Sequence, residues 1–449
     1  MSLPKYTDRQ HAATLLEALG EEFTVIENPG YVHPRYELCP LAPRLERLEG
    51  GLDAIVMDMD GTTTTTETLC LHSLETMTQR MTGNAENPAW PGLDHERDYP
   101  HIIGNSTTRH VEYLVKTYRD GIDDRATRRH FIEAAAWTLA HSGDEGRKAD
   151  VRAALQAFDA GDVVDDARFQ AIMAGARGDL PELAEDYRDR LTFPGADALV
   201  RAGIVIYYQR YHVLLSAIGA GDTRTVSRAL EGVKGPLIRP MPGVGLFLAL
   251  VKGWLADEDA AAWTGYLAER WPEGGGDGES RRALGKKLAR RFEEAPAKVA
   301  IVTSSIRYEA DIVLRSVFEE LRKEIAEWPV SETAKERIRA RFASPETYYD
   351  GVITATDSSE IRLKPHRDLY SLALHQLGVD PGRFGRVAGF EDSESGVTAI
   401  RAAGIGLCCA VPFAETAGHQ LDGASHICPG GLPEVILKHG LFLGDAEGR

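Results

Sequence analysis

The run Leu52-Asp53-Ala54-Ile55-Val56-Met57 ends abruptly in Asp58-Met59-Asp60-Gly61. A stretch this short and this apolar, stopped by carboxylates and a glycine, suits a buried strand rather than a helix. Four later segments share its character: Lys298 to Val302, Gly351 to Ala355, Arg386 to Phe390 and Gly404 to Val411. Helical periodicity follows most of them, over Tyr308 to Glu324, Leu369 to Leu377 and Gly396 to Ala403. Strands alternating with helices in this way predict a right-handed, doubly wound α/β fold built on a parallel sheet.

The first two of these strands lie about 230 residues apart, far more than a simple strand-helix-strand crossover needs. The intervening sequence repeats apolar residues at three- and four-residue steps, as in Arg128 to Ala140, Ala149 to Phe158 and Pro181 to Leu191. Residues 67–239 therefore read as an inserted, mostly α-helical second domain. The turn signal Pro240-Met241-Pro242-Gly243-Val244 marks the return to the sheet. On this reading the sheet domain comprises 51–66 and 240–442, with extra segments near 252–296 and 318–347. Residues 1–50 form an N-terminal extension with one helical pattern, Arg9 to Leu19.

A length of 449 residues gives material for two or three folding units. The net charge of -17 opposes general attraction to nucleic acid or an anionic membrane, so neither is an expected partner. The basic run Arg281, Arg282, Lys286, Lys287, Arg290 and Arg291 falls at helical spacing and reads as a solvated face. Five cysteines without a CxxC pair suggest neither a disulfide framework nor a zinc site. No apolar run approaches the ~20 residues of a membrane span, and a cytoplasmic protein is the expectation. Oligomeric state is not legible in the sequence.

In an open α/β sheet, ligands bind beyond the carboxyl ends of the strands. The first strand delivers Asp58 and Asp60 there, and the second delivers Thr303 and Ser304. The third leads through a loop to Lys364-Pro365, and the fourth delivers Glu391-Asp392. Carboxylates from two strand ends, with a backbone carbonyl and waters, make the all-oxygen octahedron that Mg²⁺ prefers, Asp58 and Asp392 being the best ligands. Mg²⁺, the Thr303 hydroxyl and the Lys364 ammonium would together neutralise a bound phosphate and let the Asp58 carboxylate attack it. Asp60 lies on the same side of the extended segment, one step nearer the loop, and suits an acid that later serves as a base. Gly61 permits the sharp turn after the strand. A calcium loop is excluded, because counting from Asp58 puts Thr63 and Leu69 where that loop needs glycine and glutamate.

Asp58-Met59-Asp60-Gly61-Thr62, Thr303, Lys364-Pro365 and Gly389-Phe390-Glu391-Asp392-Ser393 resemble the four ordered motifs of the haloacid dehalogenase-like (HAD) superfamily. Leu363 to Asp368 and Glu391 to Gly396 look like the subfamily that contains β-phosphoglucomutase and phosphoglycolate phosphatase. The resemblance implies a Rossmann-like core, a helical cap inserted after the first motif, an aspartyl-phosphate intermediate and Mg²⁺. It also implies a metal site drawn from Asp58, Asp60, Glu391 and Asp392, with Gly61, Thr62 and Ser304 against the substrate. By the same likeness, Gly104-Asn105-Ser106 leading to Arg109 looks like a substrate-facing cap loop, and His72 sits where the mutase branch carries a histidine. Thr107 stands where that branch has an arginine, a departure from its sugar-phosphate recognition. The expected activity is Mg²⁺-dependent hydrolysis of a small phosphorylated metabolite. The alternatives are a phosphosugar mutase, in which a substrate hydroxyl replaces water, and a non-catalytic scaffold.

Overall fold

In this computed structural model the described residues are 6–28, 33–48, 50–102, 107–175, 180–229, 237–275, 277–357, 362–413, 416 and 418–443. The chain divides into two compact units. The first comprises Met1–Thr65, Arg239–Ala310 and Val317–Arg449, and the second Thr66–Ile238 and Asp311–Ser316.

Among its described residues the first unit holds two sheets. Strands β1 (Phe23–Glu27) and β2 (Tyr36–Pro40) form a small antiparallel ribbon. The main sheet has six parallel strands: β3 (Ala54–Asp58), β4 (Lys298–Val302), β5 (Gly351–Ile353), β6 (Val387–Glu391), β7 (Leu407–Ala410) and β8 (His426–Ile427). Their order is β5-β4-β3-β6-β7-β8. Every residue of β3 and β6 is buried, which is why both read as continuous apolar runs rather than alternating ones. One sheet face packs Val56, Val302, Leu369, Tyr370, Val397 and Ile400. Elsewhere in the unit Phe247 meets Phe390 edge-on with ring centroids 5.2 Å apart, and Phe442 completes that aromatic group.

Order and register position the chemistry. The chain builds outward from β3 through β4 to β5, then resumes on the other side of β3 with β6, so the direction switches beside β3. Such a switch opens a crevice at the carboxyl ends of the strands. The register pairs Asp58 with Val302 and Met57 with Phe390. Thr303 therefore follows one residue beyond Asp58 on one side, and Glu391 comes level with Asp58 on the other.

The long excursion over Thr66–Ile238 leaves and re-enters this unit at one place. Thr65 donates its backbone N–H to the Arg239 carbonyl at 2.9 Å, and Met241 donates to the Thr63 carbonyl at 3.0 Å. The extra segments of the unit are helical, including Ala260–Arg270, Gly278–Glu294 and Glu332–Arg341. The basic run lies on Gly278–Glu294, which buries Leu288, Ala289 and Phe292, and Arg290 pairs with Asp257 at 2.6 Å.

Among its described residues the second unit contains helices and no strand, with Glu67–Met81, Thr107–Thr117, Asp124–His141 and Ala196–Gly219 as its long elements. Gly203 lets the last of these approach its neighbours: a Cβ there would lie 2.8 Å from Val111 and 3.3 Å from the sulfurs of Met77 and Met81. Phe158 meets both Phe131 and Phe193 edge-on at 5.4 Å. No described helix is long and apolar enough to cross a membrane.

Several elements differ from the sequence reading. The β1–β2 ribbon and β8 were not expected; in the ribbon Val25 and Leu38 stay 65% and 49% exposed, so no core-facing pattern announces it. The helix expected over Pro181 to Leu191 ends at Asp186. β5 stops at Ile353 because the Asp357 carboxylate accepts from the backbone N–H and hydroxyl of Thr354, turning the chain.

Phe247 is fully buried against Phe390 and Phe442. Phe247→Ala should lower stability by about 3–5 kcal/mol, measured by denaturant unfolding. A loss below about 1 kcal/mol would show that the site collapses around the missing ring.

Candidate active site

Asp58 ends β3 and is 5% exposed. The turn after it is built from local hydrogen bonds. Thr63 donates its hydroxyl to the Asp58 carbonyl at 2.6 Å. The backbone N–H groups of Thr63 and Thr64 both reach the Met59 carbonyl, and that of Gly61 reaches Thr64. Gly61 has φ 83°, and a Cβ there would sit 2.6 Å from an Asp392 oxygen. Glycine is therefore required for both conformation and space.

Lys364 is the hub. Its ammonium donates to Asp58 Oδ1, to Glu391 Oε1 at 2.6 Å and to the Val302 carbonyl at 3.3 Å. Glu391 is in turn held from every side. Tyr370 donates its hydroxyl to Oε1 at 3.0 Å. The Asp392 and Ser393 backbone N–H groups and the Ser393 hydroxyl donate to Oε2 at 3.1, 3.2 and 2.9 Å. Gly396 clears the space for this carboxylate, since a Cβ there would lie 1.7 Å from Glu391 Cδ.

Asp58, Glu391 and Asp392 are all buried and can each bring one oxygen within 4.8 Å of the others. Thr62 donates its hydroxyl to Asp392 Oδ1 at 3.3 Å. Asp60, expected among the metal ligands, stands outside this group: its Oδ2 accepts from Thr303 at 3.0 Å and Ser305 at 3.2 Å. Thr303, expected to hold phosphate, thus orients Asp60, with its own oxygen accepting from the Ser305 N–H at 3.0 Å. Ser304 is exposed.

Burial raises the Asp58 pKa well above the usual carboxylate value. Lys364 opposes that shift, while Glu391 and Asp60 add to it. Burial disfavours the charge on Lys364 too, but Asp58 and Glu391 outweigh it and the ammonium stays protonated. Three clustered carboxylates around one ammonium leave excess negative charge, and their oxygens are hard donors. The residues fit a divalent cation such as Mg²⁺.

Sequence reasoning missed Tyr370, Ser305 and Thr63. Tyr370 stands six residues after Lys364 on the apolar face of Asp368–Gln376, where nothing in the pattern separates a hydroxyl donor from a core ring. Ser305 falls two residues after Thr303 and could have been found from that alternation.

The remaining expected site residues belong to the helical unit. Arg109 is exposed on Thr107–Thr117, and Gly104, Asn105 and Ser106 lie outside the described residues. His72 lies on Glu67–Met81, where its Nε2 accepts from Arg210 Nη2 at 2.8 Å and Nε at 3.3 Å. Burial, then the positive charges of Arg210 and Arg80, lower its pKa to about 4.

Together, the sheet and its buried carboxylate and lysine group define a Rossmann-like α/β protein with a large helical insertion. Solved structures of similar course include CbbY from Rhodobacter sphaeroides in complex with phosphate, at 15% identity, covering 87% of this chain and 100% of that one, with a TM-score of 0.40. β-Phosphoglucomutase from Clostridium difficile is 12% identical, with 84% and 90% covered and a TM-score of 0.34. A HAD family hydrolase from Deinococcus radiodurans R1 with bound phosphate and sodium is 14% identical, with 88% and 99% covered and a TM-score of 0.33. No family model and no curated protein matches the chain. At these scores the neighbours do not decide the chemistry of this chain, which its own residues must supply.

Gly396→Ala should displace Glu391 and destabilise the protein by about 1–3 kcal/mol. In the background of Glu391→Ala the same change should cost almost nothing, and equal losses in both backgrounds would contradict the clash. A second expectation concerns acid. His72 titrates near 6.5 when unfolded and about 4 when folded. The unfolded chain binds the extra proton in that window, so stability contributed by neutral His72 is lost as pH falls through it. His72→Gln should flatten this part of the stability profile; an unchanged slope would remove His72 as its source.

Proposed function

We propose that this protein is a phosphoryl-transfer enzyme that hydrolyses a small phosphomonoester, with Asp58 as nucleophile. The observation that carries this reading is the buried arrangement in which Lys364 holds Asp58 Oδ1 at the end of β3 while Thr303 and Ser305 hold Asp60 one step beyond. An aligned carboxylate with one oxygen fixed keeps its other oxygen for attack on phosphorus. The Lys364 ammonium offsets charge that would otherwise repel the phosphate. As the new bond to Asp58 forms and the bond to the leaving oxygen breaks, a proton from Asp60 neutralises that oxygen. Asp60 then takes a proton from water, which attacks phosphorus, releases inorganic phosphate and returns Asp58 as a carboxylate.

Asp58 and Asp392, supported by Glu391, would hold Mg²⁺, whose bound charge would polarise the phosphoryl oxygens. Glu391 itself is a positioning residue, since its carboxylate is occupied by Lys364, Tyr370 and Ser393. The helical unit would supply substrate selection, with Arg109 a candidate contact. The phosphate and β-phosphoglucomutase in the names of similar structures are consistent with a phosphorylated small molecule as substrate.

A panel of phosphomonoesters, scored for free phosphate and isomerised product, tests this reading. Wild type should release phosphate only with Mg²⁺ present. Asp58→Asn should lose about 10⁴-fold or more in kcat, and Asp60→Asn about 10²–10⁴-fold. Near wild-type turnover by Asp58→Asn would exclude the nucleophile, and isomerised product without phosphate would convert the assignment to a mutase.

A further inference from the structure

The helical unit contains a group of cations that the chemistry above does not use. His72, Thr76 and Arg80 recur at four-residue steps along Glu67–Met81 and so form one stripe. Gln209 and Arg210 come from Ala196–Gly219, which packs against that helix. Arg80 Nη1 donates to Gln209 Oε1 at 2.8 Å. Arg210 directs its Nε and one Nη2 hydrogen at His72 Nε2, at 3.3 and 2.8 Å. Thr76 donates its hydroxyl to the His72 carbonyl at 2.8 Å and lies 3.4 Å from the same ring nitrogen.

Each guanidinium has five N–H donors. Here they meet a neutral ring and a side-chain amide, and among the described residues no carboxylate forms an ion pair with Arg80 or Arg210. The carboxylate acting on Arg80 from further off is Glu133, which is already bonded to His130 at 3.0 Å. Both arginines are half-buried. Burial and the charge of Arg80 lower the pKa of Arg210 to about 10; the two cations repel each other, and Glu133 offsets only the charge of Arg80, from a distance. Partly desolvated guanidiniums with unused donors match the planar, two-oxygen edge of a carboxylate or phosphate.

We propose that Arg80 and Arg210 form an oxyanion site within the helical unit, taking a phosphate or carboxylate group, with His72 as the neutral acceptor that fixes the Arg210 fork. The site stands on contacts inside that unit and does not depend on the phosphatase reading. Two sources would supply such a group: a free inorganic anion, or an organic phosphate that also carries a carboxylate.

The test uses the full chain carrying Asp58→Asn, so that an ester would not be consumed, with isotope-labelled histidine and arginine. The His72 ring signals, identified by their loss in His72→Gln, are followed by NMR during two titrations. One adds inorganic phosphate and the other a phosphomonoester bearing a carboxylate. Saturable shifts of His72 are expected, and Arg210→Met or Arg80→Met should weaken the binding they report by about tenfold. Tighter binding of the ester assigns the site to an organic dianion, and equal or tighter binding of phosphate assigns it to a free anion. Should either arginine variant fail to fold, the Arg210 Nε–H signal of the Asp58→Asn chain gives the same reading. His72 and Arg210 signals unmoved by both additions, or binding unchanged when the arginines are removed, would overturn the proposal.

Discussion

Lys364 places one buried ammonium between Asp58 and Glu391, and much of the first unit serves to keep it there. Bringing these charges out of water costs several kcal/mol each, and a salt bridge alone does not reliably recover that. Compensation comes from geometry. Glu391 accepts from Tyr370, Ser393 and two backbone N–H groups in addition to Lys364. The register of β3 with β4 and β6 sets the depth at which the groups meet. Gly61 and Gly396 leave room for carboxylates where any side chain would collide.

The same constraint explains why Asp58 differs from its neighbour two residues on. Asp58 is enclosed with Glu391 and Asp392, whereas Asp60 rests on the hydroxyls of Thr303 and Ser305. Two carboxylates on one short segment therefore occupy distinct environments, a condition for dividing nucleophilic and proton-transfer work between them. The helical unit solves a different electrostatic problem, with cations set against a neutral histidine rather than anions set against a lysine.

Much of this organisation was legible in the sequence because β3 and β6 are buried along their whole length and end abruptly in polar groups. Leu52 to Met57 stopping at Asp58, and Arg386 to Phe390 stopping at Glu391-Asp392, give both the strand and the residue it delivers. The ribbon of β1 and β2 escaped because its exposed Val25 and Leu38 mark no core. β8 escaped because His426–Ile427 is too short to carry a period. The partner of Thr303 was hidden for another reason: a strand-end hydroxyl announces a donor, but only the fold shows that it reaches Asp60. Arg210 was invisible as a partner of His72, since the two are separated by 138 positions and meet only through helix packing.

The most direct measurement of the central claim, that Asp58 is a buried nucleophile, is acid-quenched mass spectrometry of the chain during turnover of a phosphomonoester with Mg²⁺. The expected result is a transient, hydroxylamine-labile phosphoryl group on the peptide containing Asp58, at that residue. Turnover accompanied by a phosphoryl group on another residue, or by none at any time before steady state, would contradict it.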